Sequence, residues 1–207
     1  MNISRNTNRF RSALSAIFVT ATVAALAACG SSAQQRIGFI PNSVQMKETD
    51  KLTHEWTAPS FNHKQYTEVV VLPVTTPAEG AYGDLTDEQL AELRTTFTNK
   101  LNEAFKGGMG AAAGAPARKL VIHAAITAIK PNKPLLNVAP QTQILRRGYG
   151  FASCEMFATD GDIGSVVAAY MQTVDTQRLG TAKYSSTGTA SKAAEDWSTE
   201  FFKLVTK

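Results

Sequence analysis

Cysteine is scarce in this chain of 207 residues, where Cys29 and Cys154 are the only two. A disulfide-stapled scaffold is therefore excluded, and the fold has to be stable through its core. Charge is also sparse, at 18% of residues against 43% hydrophobic, which argues against general disorder and for one globular domain. No dense Lys/Arg block occurs. The formal net charge of +4 includes Arg5, Arg9 and Arg11, which lie in a leading segment without any acidic residue. Removing those three from the 21 basic side chains leaves 18 against 17 acidic ones, a net charge of +1. That balance gives no electrostatic reason to expect nucleic-acid binding. A spanning helix is missing too, because the longest apolar run, Ala13 to Leu26, is shorter than the roughly 20 residues a bilayer requires.

What that run does resemble is an export signal. Met1 to Arg11 is polar and cationic, Ala13 to Leu26 is uncharged and apolar, and Leu26-Ala27-Ala28-Cys29 follows. This is similar to the lipobox of bacterial lipoproteins, in which the peptide is cut between Ala28 and Cys29 and the Cys29 thiol carries diacylglycerol. The expected organisation is a removed signal over residues 1–28, a lipidated Cys29 with a small polar tether over 29–35, and one domain over 36–207. Each buried methylene of an acyl chain contributes about 0.8 kcal/mol, and two or more chains make anchoring stable. Gly30 follows the cysteine where an Asp would signal retention in enteric bacteria, so the pattern implies an outer-membrane anchor facing the periplasm.

Within the domain, residues 36–61 scatter isolated apolar side chains among prolines and polar residues, and are expected as an irregular arm docked by its aromatics. Glu68 to Val74 is a β-branched run expected as the first central strand, stopping near Pro73. Thr86 and Gln89 have capping-box spacing, and Leu90, Leu93, Phe97, Leu101, Ala104 and Phe105 recur at helical steps until Gly107 and Gly108. The Gly/Ala-rich stretch up to Ala117 has neither a phosphate-loop Lys-Ser/Thr nor a dinucleotide glycine pattern, so it is read as a loop. Lys119 to Lys130 is a long strand expected at the sheet centre, with Leu120, Ile122, Ala124, Ile126 and Ala128 on one face. Gly150 to Thr159 and Ile163 to Asp175 should pair through the Asp160-Gly161-Asp162 turn. A last helix over Ser191 to Lys207 repeats Ala193, Trp197, Phe201 and Val205, widened by Leu204. The order implies a single α+β domain: a mixed, mainly antiparallel sheet of about four strands with two amphipathic helices packed on one face.

These residues resemble the DUF3313 family of bacterial lipoproteins of unknown function. The likeness rests on Gly38-Phe39-Ile40, on Tyr66 to Val74 with its Leu-Pro-Val ending, and on Ala125-Ile126-Thr127 through the Pro-Asn-Lys-Pro insertion to Asn137-Val138. The Asp-Gly turn and the Trp197 helix fit as well. Where the family pattern has a fuller Asp-x-x-Thr-Gly-Glu turn, this chain reads Asp160-Gly161-Asp162-Ile163-Gly164. The resemblance implies no catalytic residue.

Reactive candidates are few. His123 and Cys154 lie on two expected strands that could be neighbours in the sheet, and are weighed as a nucleophile pair against the simpler reading of a packed thiol and a structural histidine. His54 and His63, near Glu55 and Glu68, lack the tight spacing of a zinc site. Asp160 and Asp162 are weighed as a calcium turn and read as a turn only. Arg146-Arg147 is weighed as a contact for phosphate or a lipid headgroup and read as a solvated pair of cations. No catalytic residue, metal or cofactor is therefore expected. The leading expectation is a non-enzymatic interaction module, held at the membrane through Cys29 and binding an envelope protein or another envelope component. A carrier of a small ligand or lipid is the alternative, and a Cys/His enzyme comes behind it.

Overall fold

The structure, a computed structural model, describes residues 36–114, 116–130, 150–175 and 188–207. Cys29, the signal, the tether, Arg146-Arg147 and the passage from Pro131 to Val138 lie outside the described residues.

The four runs expected as strands become strands for the reasons their patterns give. β3 (Glu68–Val71) and β4 (Lys119–Lys130) pair in parallel and are joined through helix α1 (Asp87–Phe105). β5 (Phe151–Asp160) and β6 (Val166–Asp175) form the expected antiparallel hairpin, and β5 also pairs antiparallel with β4. Gly161 holds φ at +79°, the left-handed conformation that turn requires, and its N–H donates to the Lys119 carbonyl at 2.8 Å. The turn is longer than expected, so Ile163 sits fully exposed at the loop tip and β6 begins at Val166.

Two further strands, β1 (Lys47–Asp50) and β2 (Thr53–Thr57), lie within the stretch expected to be irregular. They bring the sheet to six, in the order β1-β2-β6-β5-β4-β3, mixed but antiparallel in every pair except β3 with β4. As an edge hairpin they face water along much of their length: β1 is exposed throughout, and the apolar alternation that marks a strand in sequence is not demanded of it. The expected centre also moves. β3 is an edge strand, partly exposed, and β4 is second from that edge. Past Pro73, only isolated bridges from Thr75 to Ala125 and from Ala81 to Ala128 continue alongside β4.

Helices α1 and α2 (Gly188–Thr206) cover one face of this sheet, with α2 over β5 and β6, and α1 beside it over β3. Thr86 caps α1 with a complete capping box: its hydroxyl accepts from the Gln89 N–H, and its own N–H donates to the Gln89 side chain. Leu93, Phe97, Leu101 and Phe105 of α1 meet Ala193, Trp197, Phe201 and Val205 of α2, all buried. Phe97 and Trp197 lie 5.4 Å apart between ring centroids. A bulge at Thr127 interrupts β4, so the face turned to the helices runs Leu120, Ile122, Ala124, Ile126 and then Ile129, in place of the expected Ala128. No described helix is long and apolar enough to cross a membrane.

Candidate functional site

The sheet's other face carries the chain's first described segment. Residues 36–46 lie across it as a strap, with Ile40 and Val44 buried against Ala169 and Met171 and flanked by Trp56 and Phe157. What fastens the strap is a carboxylate. Glu155, mid-strand in β5 and wholly buried, accepts the Ile37 N–H at 2.7 Å and the Ile40 N–H at 2.9 Å, one on each oxygen. Gly38 lies between the donors with φ at +90°, the backbone turn that aims both N–H groups at one carboxylate. Arg36 closes the strap on itself by donating to the carbonyls of Ile40, Pro41 and Val44. A buried polar group is tolerated when it finds hydrogen-bond partners, and the strap's backbone gives each oxygen of Glu155 one donor. Neither Glu155 nor Arg36 stood out in the sequence, although one acidic residue inside an apolar strand such as Cys154-Glu155-Met156 is itself a sign that a partner must arrive from elsewhere.

Beside this clasp, Phe157 bridges Phe39, 5.3 Å away, and His123, whose ring stacks on it at 4.4 Å and 7°. His123 therefore belongs to the strap face, with Nε2 3.3 Å from the Thr159 hydroxyl, and burial lowers its pKa. Cys154 belongs to the helix face, where it is fully buried among core residues and pairs in register with Ile126. The sheet itself separates the two. Burial also pushes the thiol well above its ordinary value, so the arrangement makes no activated Cys/His pair.

The other candidates resolve in the same concrete way. Asp160 pairs with Arg118, whose guanidinium also lies 5.0 Å above the Tyr66 ring, and Asp162 pairs with Lys119 at 2.7 Å. The turn carboxylates are thus engaged with cations at the start of β4. His54 sits on β2 opposite Met171, while His63 opens a 3-10 turn over His63–Gln65; no group of three metal-ligating side chains occurs among the described residues.

Grooves also mark the described surface. A groove of about 370 Å³ is lined by Phe61, His63, Lys64, Leu204 and Lys207, and a neighbour of about 280 Å³ shares Thr57 and Leu204 with it. A larger one, about 560 Å³, runs between the chain leaving β3 and one side of α1. Between sheet and helices the space is filled: Phe97, Leu101, Ile122, Ile126, Met156, Trp197 and Phe201 are each under 2% exposed.

Residues 38–201 match the family described as "Protein of unknown function (DUF3313)". The chain belongs to the DUF3313 family. No curated protein matches this DUF3313 chain. Among solved structures it is similar to a variant PelC dodecamer from Paraburkholderia phytofirmans, at 15% identity over 74% of this chain and 95% of that one, with a TM-score of 0.41. A second PelC dodecamer from the same organism is similar at 14% identity, 74% and 96% coverage and a TM-score of 0.41. The crystal structure of an uncharacterized protein is similar at 13% identity, 68% and 95% coverage and a TM-score of 0.30. Likeness this remote leaves the functional reading of the DUF3313 chain to its own residues.

Proposed function

We propose that the chain is a lipid-anchored, periplasm-facing module of the cell envelope that binds another envelope component without catalysing a reaction. The observation that carries this reading is the succession from lipobox to tether to clasp. Leu26-Ala27-Ala28-Cys29 has the spacing for lipidation, residues 30–35 are small and polar, and the segment that follows is fastened to β5 through Glu155. A domain held by one end benefits from having that end secured to its sheet. Gly30 after the cysteine supports an outer-membrane destination. The separation of His123 from Cys154 supports a non-catalytic role over a Cys/His enzyme. The carrier alternative needs a cavity beneath the helices, where large side chains already fill the space.

Mass spectrometry of the natural product tests the anchor. The expected N-terminal peptide begins at Cys29 with diacylglycerol on sulfur; a bare Cys29, or retention of residues 1–28, refutes the reading. Crosslinking in intact cells tests the binding role, with a specific and reproducible envelope neighbour expected and a lone monomer counting against it.

A further inference from the structure

The described part of the domain holds three arginines, and two of them are spoken for. Arg36 donates to three strap carbonyls, and Arg118 pairs with Asp160. Arg94 differs. It projects from α1 into the groove of about 560 Å³, where one nitrogen, Nη1, donates to the Thr76 hydroxyl at 3.2 Å. Among the described residues no carboxylate lies within ion-pair distance of it. A guanidinium offers five N–H donors in a planar fork, suited to pairing with an oxyanion.

The walls around it mix apolar and polar groups, with Pro73, Val74 and Ala91 set beside threonines and an asparagine. Ala91, Arg94, Thr95, Thr98 and Asn99 follow helical spacing along one side of α1, and Thr75 and Thr76 stand opposite. The Thr98 hydroxyl ties the two walls together, accepting the Val74 N–H at 3.0 Å and donating to the Arg94 carbonyl at 2.8 Å. The Thr95 hydroxyl donates to the Ala91 carbonyl at 2.9 Å and keeps its lone pairs for an incoming hydroxyl. Asn99 is exposed and adds an amide with both donor and acceptor character. One guanidinium without a carboxylate partner, set among hydroxyls and an amide, complements a ligand with one oxyanion and several hydroxyl groups.

We propose that the groove between the β3 exit and α1 is a binding site for an acidic saccharide, with Arg94 taking the carboxylate or phosphate and Thr76, Thr95 and Asn99 taking hydroxyls. The proposal rests on the binding-module reading and deepens it by naming a ligand class. It does not require lipidation: a chain with a bare Cys29 that still bound in this groove would overturn the anchor and leave the site standing.

The test titrates the full chain in detergent with glucuronate, glucose 6-phosphate and glucose, reading ligand saturation-transfer NMR and the methyl shifts of Thr76, Thr95 and Thr98. At least one acidic sugar should bind about tenfold or more tightly than glucose, the factor expected of one charge-assisted contact, and the tighter of the two identifies the oxyanion. R94Q should reduce acidic-sugar affinity to that of glucose, R94K should keep part of it, and N99A, at an exposed helix position, should weaken both kinds of sugar while leaving the fold intact. Equal affinity for glucose and the acidic sugars overturns the proposal. So does an R94Q chain, folded by circular dichroism, that binds the acidic sugar as the parent does.

Discussion

Removing the Glu155 carboxylate should loosen the strap and cost the domain a substantial part of its stability. In Glu155→Ala, the Ile40 N–H loses its partner in a buried position and the Ile37 N–H loses its partner at the margin. An orphaned buried donor costs about 1–3 kcal/mol, and the one lost side-chain methylene adds about 0.8 kcal/mol. Relief from burying the carboxylate offsets part of this, so the expected net loss is about 2–4 kcal/mol. Glu155→Gln keeps one acceptor oxygen but turns an amide NH2 toward the second N–H, and should lose about half as much. Urea unfolding of the full chain in detergent measures the difference, and hydrogen exchange at Ile37 and Ile40 localises it, because those amides should lose protection before the core strands do. A midpoint shift equivalent to less than about 0.5 kcal/mol, the range of ordinary surface substitutions, together with unchanged exchange at both amides, would refute the claim that this carboxylate holds the strap.

Other consequences are separable. Trp197→Ala should destabilise by about 3–5 kcal/mol, since the ring is fully buried against Phe97; a loss below about 1 kcal/mol would mean the helix pair does not pack as described. Thr86→Ala removes half of the capping box and should lose about 1 kcal/mol in the same assay, with the loss centred on the first turn of α1. Cys154 should resist iodoacetamide in the folded protein and react once urea unfolds it, because its thiol is buried and held protonated; rapid labelling of the native state would contradict its placement. Burial lowers the His123 pKa below its ordinary value of 6.5, so the unfolded chain takes up a proton that the folded chain resists. That contribution to stability is complete above the ordinary pKa and is lost as pH falls below it, so His123→Phe should show a flatter decline in acid than the parent. Identical slopes for the two proteins would remove His123 from the account.

The sequence made local periodicity legible and long-range pairing illegible. α1, α2 and the β5–β6 hairpin were readable because helical stripes, a capping box and an Asp-Gly turn are local devices. The edge hairpin β1–β2 escaped because Lys47–Asp50, exposed along its length, owes the core nothing and carries no apolar alternation. β3 was read as central because Val69, Val70 and Val71 are β-branched; in the fold that composition serves a half-buried edge beside a helix. Counting alternate residues along β4 failed beyond Thr127 because the bulge adds one residue and exchanges the faces. The relation of His123 to Cys154 depended on the register of β4 against β5, which no single-strand pattern contains. The Glu155 clasp was hidden for the same reason, since its partners, Ile37 and Ile40, lie 118 and 115 residues away in the chain.

That separation also sets the timing of folding. β2 must wait for β6 before it joins the sheet, and the strap must wait for Glu155, so a chain emerging from its N-terminus cannot close the clasp before residue 155 or complete the β2–β6 pairing before residue 172 is available. Topologies dominated by such distant pairings fold slowly and keep apolar strands uncovered in the meantime. The same delay leaves the polypeptide linear for longer, a useful state for any chain that has to be threaded through a narrow passage before it takes shape.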